Sequence, residues 1–326
     1  MAHSASDSFY RDRRVCVTGG AGFIGSHLVD ALAARGAIVS VIDDLCNGSL
    51  ENLRSVKDRI RFVLGSILDS NAITAAVEGC EVVFHQAALG SVPRSVQEPA
   101  RFLQVNAMGT LSVLEAARKA GQQRGAMPRI VYAASSSAYG DTPTLPKIES
   151  MPPQPRSPYA AAKYTGELLL QSHCACFGMT GVSLRYFNVF GPRQRHDSMY
   201  AAVVPRFIEA LRTRERPLIY GDGTQSRDFT SIENVVHANL LAGACKKPPR
   251  GEAINIACGE RFSLLQLLDT LKRIMGAKAE PSFEPQRPGD VMHSLASIDA
   301  ARALIGYTPL VGFEEGLRRM LNADGS

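Results

Sequence analysis

The feature that most limits the possible folds of this chain is a glycine-rich turn near its start. A short apolar run, Val15-Cys16-Val17, leads into Thr18-Gly19-Gly20-Ala21-Gly22-Phe23-Ile24-Gly25. A helix is predicted from Ser26 to Arg35, and a second strand from Ala37 to Ile42 ends in Asp43. Glycines let the backbone approach a pyrophosphate at a helix N-terminus, and an acid about twenty residues later can accept hydrogen bonds from a ribose. This stretch therefore predicts a dinucleotide-binding βαβ unit.

Further apolar strands follow this unit, and stretches with helical periodicity separate them. We predict strands at 61–64, 82–85, 130–133 and 182–185, and helices at 71–78, 110–120 and 159–177. Nearly continuous apolar strands that alternate with helices are typical of an α/β fold with a doubly wound parallel Rossmann-type sheet. Ligands bind beyond the carboxyl ends of such strands. Small or polar residues follow three of them, at 86–91, at 135–137 and at Asn188, so we expect these segments to form one site.

The pattern loosens after Arg185, where loop-like runs separate short helices expected at 200–213, 234–245 and 264–275. We therefore predict an NAD-binding Rossmann domain over 11–185, with segments near 228–258 returning to its sheet. A smaller mixed α/β substrate-binding lobe is predicted over 186–326. Residues 1–10 are expected to form a disordered leader.

A second group of residues begins at Ser157-Pro158, where a serine N-cap and a proline at the first helical position predict a helix that ends near Gly178. Tyr159 and Lys163 are four residues apart and share one face of it. An ammonium about 4 Å from the phenol supplies ~4 kcal/mol at an effective dielectric of ~20, enough to lower the phenol's pKa from about 10 to near 7. The pair is a candidate general base. The spacing alone fits an ordinary exposed Tyr and Lys as well, and the rest of the sequence favours the base.

The composition argues against several other classes of function. The 326 residues carry a formal net charge of +5 with scattered basic residues, so we expect no nucleic-acid partner, whereas an anionic small substrate fits. The seven cysteines lack zinc or disulfide spacing, and no metal site is predicted. The N-terminus lacks the apolar segment of a signal peptide, and no run of about 18 apolar residues predicts a membrane span. We expect a cytoplasmic protein that does not contact a membrane.

Taken together, these residues resemble a known family. From residue 13 to 322 the chain is similar to the extended short-chain dehydrogenase/reductase family, and within it to the nucleotide-sugar 4-epimerases, especially those acting on UDP-N-acetylglucosamine. The motifs in family order are the glycine turn, Asp43, Asn106, the serines before Tyr139-Gly140, the Tyr159/Lys163 pair, Arg185-Tyr186-Phe187-Asn188 and Arg227-Asp228. The resemblance implies NAD as cofactor, a UDP-sugar as substrate, and a homodimer through helices at 107–120 and 159–177.

The resemblance also implies roles residue by residue. The catalytic residues are Ser135, Tyr159 and Lys163, with Ser135 bridging the sugar 4-hydroxyl and Tyr159, and Lys163 holding the nicotinamide ribose. The cofactor-binding residues are Gly19, Gly22, Phe23, Ile24, Gly25, Asp43, Asn47, Ser66, Ile67, Gln86, Ala87, Ala88, Asn106, Tyr159, Lys163 and Tyr186. The substrate-binding residues are Gly90, Ser91, Ser136, Ser137, Asn188, Val204, Tyr220, Arg227, Arg287, Asp290 and Ser294. Asp43 would repel a ribose 2′-phosphate, which favours NAD over NADP. Gly65-Ser66 departs from the family, which usually has an acid near the adenine there.

Residue types separate the neighbouring branches of the family. The 4,6-dehydratases carry Asp-Glu after the catalytic Ser/Thr, and the UDP-glucuronate decarboxylases keep a glutamate at the second position. This chain has Ser136-Ser137, which cannot serve as acid and base near pH 7. The resemblance therefore implies 4-epimerisation through a 4-keto intermediate with retained NAD.

The sugar is indicated by Ser294, which aligns with the family's gate beside the sugar 2-substituent. Epimerases confined to glucose and galactose tend to carry a bulky aromatic there, whereas serine leaves room for an acetamido group. We expect UDP-N-acetylglucosamine and UDP-N-acetylgalactosamine as substrates, together with UDP-glucose and UDP-galactose. Two alternatives stay open: a 4-epimerase of a UDP-uronic or N-acetyluronic acid, and an NAD-sensing scaffold without chemistry. The intact Ser135, Tyr159 and Lys163 argue against the scaffold.

Overall fold

The computed structural model describes residues 8–194, 202–285 and 291–323. Its strands in chain order are β1 (Arg14–Thr18), β2 (Ile38–Asp43), β3 (Ile60–Leu64), β4 (Val82–His85), β5 (Arg129–Ser135), β6 (Thr180–Tyr186), β7 (Val189–Phe190), β8 (Leu218–Tyr220), β9 (Ser226–Arg227), β10 (Thr230–Ser231), β11 (Arg250–Ile256), β12 (Phe262–Ser263) and β13 (Ser282–Glu284). Its α-helices are α1 (Phe23–Ala34), α2 (Ser70–Val77), α3 (Val92–Gln97), α4 (Pro99–Leu103), α5 (Gly109–Arg124), α6 (Pro158–Phe177), α7 (Val203–Arg212), α8 (Ile232–Ala244), α9 (Leu264–Met275), α10 (Asp299–Ile305) and α11 (Phe313–Ala323).

The predicted fold class is confirmed by a seven-stranded sheet in the order β11-β6-β5-β4-β1-β2-β3, in which all neighbouring strands pair in parallel. Successive residues of a strand face opposite layers. In β1, Val15 and Val17 belong to one apolar cluster and Cys16 to the other, and all three are fully buried. Burial on both faces explains why these strands read as continuous apolar runs.

Strand β11 comes from the second half of the chain and extends the sheet beyond β6. Helix α8, which precedes it, contributes Val235 and Ala238 to the same apolar cluster as β1. The structure thus contains a segment that returns to the sheet, while the division into domains at residue 185 stays a prediction.

A third apolar cluster forms the core of the second lobe, between helices α7, α9 and α11. Its centre is aromatic, with Phe262 and Phe313 stacked at a centroid distance of 4.1 Å and Phe229 stacked on Phe313 at 5.4 Å. Such pairs add about 0.5–1.5 kcal/mol beyond the area they bury. This small core lies apart from the two apolar clusters that contain the strands of the sheet.

The expectation of a disordered leader up to residue 10 is wrong for its last residues. Tyr10 is fully buried in the main cluster, and its hydroxyl donates to Leu240 O at 2.6 Å. The residues before Tyr10 are mostly polar, so the sequence did not predict its burial. Residues 1–7 lie outside the described part of the chain. Across the described ranges, no helix is both long and apolar enough to cross a membrane.

Candidate active site

A cavity of about 1360 Å³ opens at the carboxyl ends of the strands. Pockets for a single drug-sized ligand measure about 300–1,000 Å³, so this volume suits a dinucleotide together with a second nucleotide. The segments predicted to form one site all line it: the glycine turn, the residues after β4, the serines after β5, and Asn188 after β6.

The glycine turn has the close backbone contacts that its sequence predicts. Gly19 has a φ of 67°, and a Cβ there would lie 2.7 Å from the backbone of Ala87. A Cβ on Gly25 would lie 2.1 Å from Gly19 O. Gly22 is the N-cap of α1, where no capping side chain covers the first N–H groups. The turn therefore leaves a helix N-terminus open to a pyrophosphate.

Asp43 connects the glycine turn to the loop after β2. Its carboxylate accepts from Ala21 N at 2.9 Å and from Leu45 N at 2.8 Å. Burial raises the pKa of Asp43, while these two hydrogen bonds lower it. The carboxylate lines the cavity, where an acceptor suits ribose hydroxyls.

The loop 86–91 is hydrogen-bonded to Asn106 through its residue Leu89. Both polar atoms of the Asn106 carboxamide are used by Leu89, with Leu89 N donating at 2.8 Å and Asn106 Nδ2 donating to Leu89 O at 3.0 Å. Asn106 is buried in a π-helical segment, Gln104–Met108, and is not among the lining residues. The structure thus places Asn106 as a support for the cavity wall, and its contact with the cofactor stays a prediction.

His85 completes this support. The Thr110 hydroxyl donates to Asn106 O, so it must accept from His85 Nε2, which lies 2.9 Å away. His85 Nδ1 then accepts from the Thr18 hydroxyl at 2.8 Å, and Thr18 Oγ1 accepts from Ala87 N. Burial lowers the pKa of His85 to about 3, so the ring stays neutral.

The candidate catalytic residues lie where the sequence predicts them. Ser157 caps α6 by accepting from Ala160 N, and Pro158 is its first residue. Ser135 ends β5, and its Oγ accepts from Ser137 N at 3.2 Å and from Ser137 Oγ at 2.9 Å. The ring of Phe102 packs edge-on against Tyr159 at a centroid distance of 6.5 Å.

The expectation that Lys163 lowers the pKa of Tyr159 is wrong. Burial raises the pKa of Tyr159, and the Ser135 hydroxyl opposes this rise only in part. Lys163 Nζ donates to Ala133 O at 2.8 Å, so its ammonium is held by the strand. Burial lowers the pKa of Lys163 to about 7, against the opposing effect of Glu167.

Glu167 lies one helical turn beyond Lys163 and forms a buried bidentate ion pair with Arg185, with Nη2 to Oε2 at 2.7 Å. The Arg185 guanidinium lies over the ring of Tyr139 at 4.7 Å. The pair ties α6 to β6 and so fixes the helix that carries Tyr159.

The predicted cofactor residues other than Asn106 all line the cavity. Of the predicted substrate residues, the cavity wall contains Gly90, Ser91, Ser136, Ser137 and Asn188. Four others lie elsewhere: Val204 is buried in the core of the second lobe, Tyr220 lies under the Arg206 guanidinium, Arg227 donates to Met292 O, and Ser294 contacts Asn188. Arg287 and Asp290 lie outside the described residues.

The sequence did not indicate Arg193 and Gln194, which also line the cavity. Arg193 Nη2 forms an ion pair with Asp30 Oδ2 at 2.7 Å, and His27 Nε2 donates a hydrogen bond to Pro192 O at 2.9 Å. Because Asp30 and His27 are on α1, this segment lies along that helix. Arg193 has a φ of 66°. These contacts join residues about 160 positions apart, and no local pattern indicates them.

Comparison with known proteins gives a family match over residues 15–257, to the NAD dependent epimerase/dehydratase family. The UDP-glucose 4-epimerase of Mycolicibacterium smegmatis is 38% identical over 310 residues, covering 94% of this chain and 96% of that protein.

Two solved structures extend the comparison. UDP-N-acetylglucosamine 4-epimerase from Methanobrevibacter ruminantium, in complex with UDP-N-acetylmuramic acid, is 38% identical with a TM-score of 0.90, covering 96% of this chain and 98% of that chain. UDP-glucuronic acid 4-epimerase from Bacillus cereus, in complex with UDP-glucuronic acid and NAD, is 32% identical with a TM-score of 0.87, covering 95% and 98%.

Proposed function

The chain belongs to the NAD dependent epimerase/dehydratase family, and we propose that it interconverts UDP-N-acetylglucosamine and UDP-N-acetylgalactosamine by NAD-dependent epimerisation at sugar carbon 4. The observation that carries this proposal is the row Ser135, Ser136 and Ser137 on the cavity wall beside Tyr159. Neutral hydroxyls bind a hydroxyl or an acetamido group, but they cannot supply the acid and base that dehydration needs.

The protein's own residues supply binding and proton transfer. The open N-terminus of α1 suits the NAD pyrophosphate, Asp43 suits a ribose, and Lys163 is within the same cavity to hold the second ribose. When bound there, NAD would supply reversible hydride transfer at carbon 4 of the sugar. Tyr159 acts as the phenolate: its Oη takes the 4-hydroxyl proton and later returns it to the sugar oxygen. Proton and hydride are both returned, so no net redox change occurs.

Ser135 has a defined part in this proton transfer. Burial favours the neutral phenol of Tyr159, whereas the Ser135 hydroxyl favours the phenolate. In the described structure Ser135 is therefore the residue that opposes the cost of ionising Tyr159. It also links Tyr159 to the position where the 4-hydroxyl must bind.

A UDP-uronic acid is the second candidate substrate, because a cation lines the cavity. Arg193 Nη1 is buried and has no hydrogen-bond partner among the described residues. A guanidinium fits a carboxylate well. However, Asp30 already neutralises this side chain in part, which makes the N-acetylated sugar the better choice.

We also infer a homodimer from the apolar side chains on the helices that surround Tyr159. Leu103, Met108 and Leu168 are 43%, 54% and 46% exposed, and helices α4 and α6 and the Gln104–Met108 segment pack against one another. A monomeric mass in light scattering would contradict this.

The direct test is incubation of the purified protein, loaded with NAD, with a panel of UDP-sugars, followed by NMR of the products. We expect N-acetylglucosamine and N-acetylgalactosamine to equilibrate from either side. Preferential turnover of UDP-glucuronic acid would establish the second candidate instead. No product from any sugar would leave a scaffold without chemistry.

A further inference from the structure

Two tyrosine hydroxyls lie at the reacting end of the cavity. Tyr159 is the candidate base, and Tyr186 ends β6, where it pairs in register with Ser135 of β5. Both tyrosines line the cavity, and Tyr186 is buried. The proposed proton transfer needs one phenol that ionises, so the groups around the Tyr186 hydroxyl decide whether it stays out of the reaction.

The residue that organises the Tyr186 hydroxyl is Asn239, which is fully buried on α8 and does not line the cavity. Asn239 Nδ2 donates to Val235 O, one helical turn earlier, at 2.8 Å, and to Tyr186 Oη at 2.8 Å. A backbone carbonyl can only accept, so the nitrogen is the end of the carboxamide that faces Val235 O. Both hydrogens of Nδ2 are then used, and Tyr186 Oη accepts from Asn239.

Gln86, the first residue after β4, closes this arrangement into a ring of three side chains. Gln86 Nε2 donates to Asn239 Oδ1 at 3.0 Å. Because Tyr186 Oη accepts from Asn239, its own hydrogen is directed to the two carboxamide oxygens, Asn239 Oδ1 at 3.1 Å and Gln86 Oε1 at 3.3 Å. The Tyr186 proton is therefore used within the cavity wall. Burial also raises the pKa of Tyr186 to about 12, so this phenol stays neutral.

The backbone around the ring is fixed by the sheet. Gln86 N donates to Thr18 O at 3.1 Å, and Tyr186 is paired on both sides, with β5 and with β11. Only the side chains can therefore respond to a change in the ring. A buried polar group without a partner costs about 1–3 kcal/mol. Without Asn239, the Gln86 amide and the Tyr186 hydroxyl would turn toward the cavity, where water or a ligand can bind them.

We propose that Asn239 is a positioning residue for the cofactor, which holds Gln86 and Tyr186 in this closed ring and so keeps the space beside Tyr159 shaped for the nicotinamide. A nicotinamide that exchanges hydride with a sugar bound at Tyr159 has to lie at this end of the cavity. The inference rests on the proposed function for that placement. Asn239 is 53 and 153 positions from its two ring partners, so no local sequence pattern indicates the role.

Binding of NAD and of ADP-ribose tests the role, because ADP-ribose lacks the nicotinamide. Calorimetry on the full-length protein, freed of nucleotide, compares the two ligands for Asn239→Leu, which has a similar size without the amide. Tyr186→Phe removes only the hydroxyl that Asn239 holds, and it tests the ring separately if Asn239→Leu is unstable. Asn234→Leu is the matched control, since Asn234 is also fully buried on α8 but binds Leu310 and Val311, and none of these three lines the cavity.

We expect Asn239→Leu to weaken NAD binding at least about fivefold and ADP-ribose binding less than about twofold, because the unpaired groups disturb only the nicotinamide end. Tyr186→Phe should weaken NAD binding about threefold, again with ADP-ribose nearly unchanged. Asn234→Leu should lower the melting temperature and keep the wild-type ratio of the two affinities.

Two results would overturn the inference. Equal losses for NAD and ADP-ribose in either ring variant would show that the ring only supports the fold, and an unchanged NAD affinity would show that it does not shape the nicotinamide site. No sugar enters these measurements. Failure of the wild type to convert any UDP-sugar would therefore refute the proposed function and leave the comparison of NAD with ADP-ribose readable.

Discussion

The two halves of the cavity are built differently. The cofactor half consists mainly of strand ends and the turns directly after them. Apart from Tyr159 and Lys163 on α6, its residues lie within a few positions of β1, β2, β3, β4 or β6. The substrate half depends on contacts between distant segments, such as Asn188 with Asp228 and with Ser294, which are 40 and 106 positions apart. The first half is fixed by the register of a buried sheet, and the second by side-chain hydrogen bonds between loops. We therefore expect substitutions in the cofactor half to reduce NAD binding and stability, and substitutions in the substrate half to change substrate selectivity.

The largest expected effect comes from the residue where the two halves meet. Tyr159→Phe should lower turnover at least about a hundredfold, because the phenol oxygen that carries the proton is lost. NAD content, measured by absorbance after release from the denatured protein, should stay at the wild-type value. Tyr164→Phe, on the same helix and outside the cavity wall, is the matched control. Wild-type turnover in Tyr159→Phe would remove Tyr159 from the mechanism.

In the cofactor half, a single added methyl group is expected to reduce both stability and NAD binding. Gly25→Ala places a Cβ 2.1 Å from Gly19 O, so the glycine turn must shift. We expect a loss of ~1–3 kcal/mol in stability and a reduced NAD content, measured by thermal unfolding and cofactor release. Gly312→Ala has no atom within 4 Å of the new Cβ and should behave as wild type. If Gly25→Ala retains NAD fully, the turn is less tightly packed than the structure indicates.

A substitution in the substrate half should change selectivity more than stability. A tyrosine ring at position 294 would meet Asn188 and push toward the cavity. We expect Ser294→Tyr to lose at least tenfold in kcat/KM on N-acetylated sugars, about 1.4 kcal/mol, while UDP-glucose and UDP-galactose are still converted. Equal losses on both classes would mean that position 294 does not select the substrate.

The last expected effect concerns the dependence of stability on pH. The pKa of Lys163 is lowered to about 7 from its ordinary value of 10.5. Between these values the unfolded chain binds more protons at this position than the folded one, so stability should rise with pH. Relative to Lys163→Met, the wild type should gain at most about 1.4 kcal/mol per pH unit from pH 7 to 9.5, measured by urea unfolding. Parallel curves for the two proteins would contradict the lowered pKa.

The cofactor half was predictable because its signals are local. The glycine turn, the acid at Asp43 and the capped helix with Tyr159 each depend on residues close in sequence, and a parallel sheet brings strand ends together. Asn106 shows the limit of this reasoning. Its motif indicated the site, but only the structure shows that Leu89 uses both ends of its carboxamide.

The substrate half was less predictable, because residue type does not reveal the partner. Val204 was expected at the substrate, yet it packs in an apolar core. Arg193 reaches the cavity through an ion pair with Asp30 and a positive φ, and neither has a sequence signal. The pKa of Tyr159 was predicted with the wrong sign, because the sequence does not show that Ala133 O holds the Lys163 ammonium.

Strand β11 is synthesised about 70 residues after β6, the strand with which it pairs, and this matters while the protein is being translated. Until residue 256 has left the ribosome, β6 is the outermost strand on that side, and its backbone on that side is unpaired. An uncovered strand with fully buried side chains such as Val182 and Leu184 is a template for pairing with other chains. A nascent chain that pauses between residues 190 and 250 is therefore the species most prone to aggregate, and it is where a chaperone has most to protect.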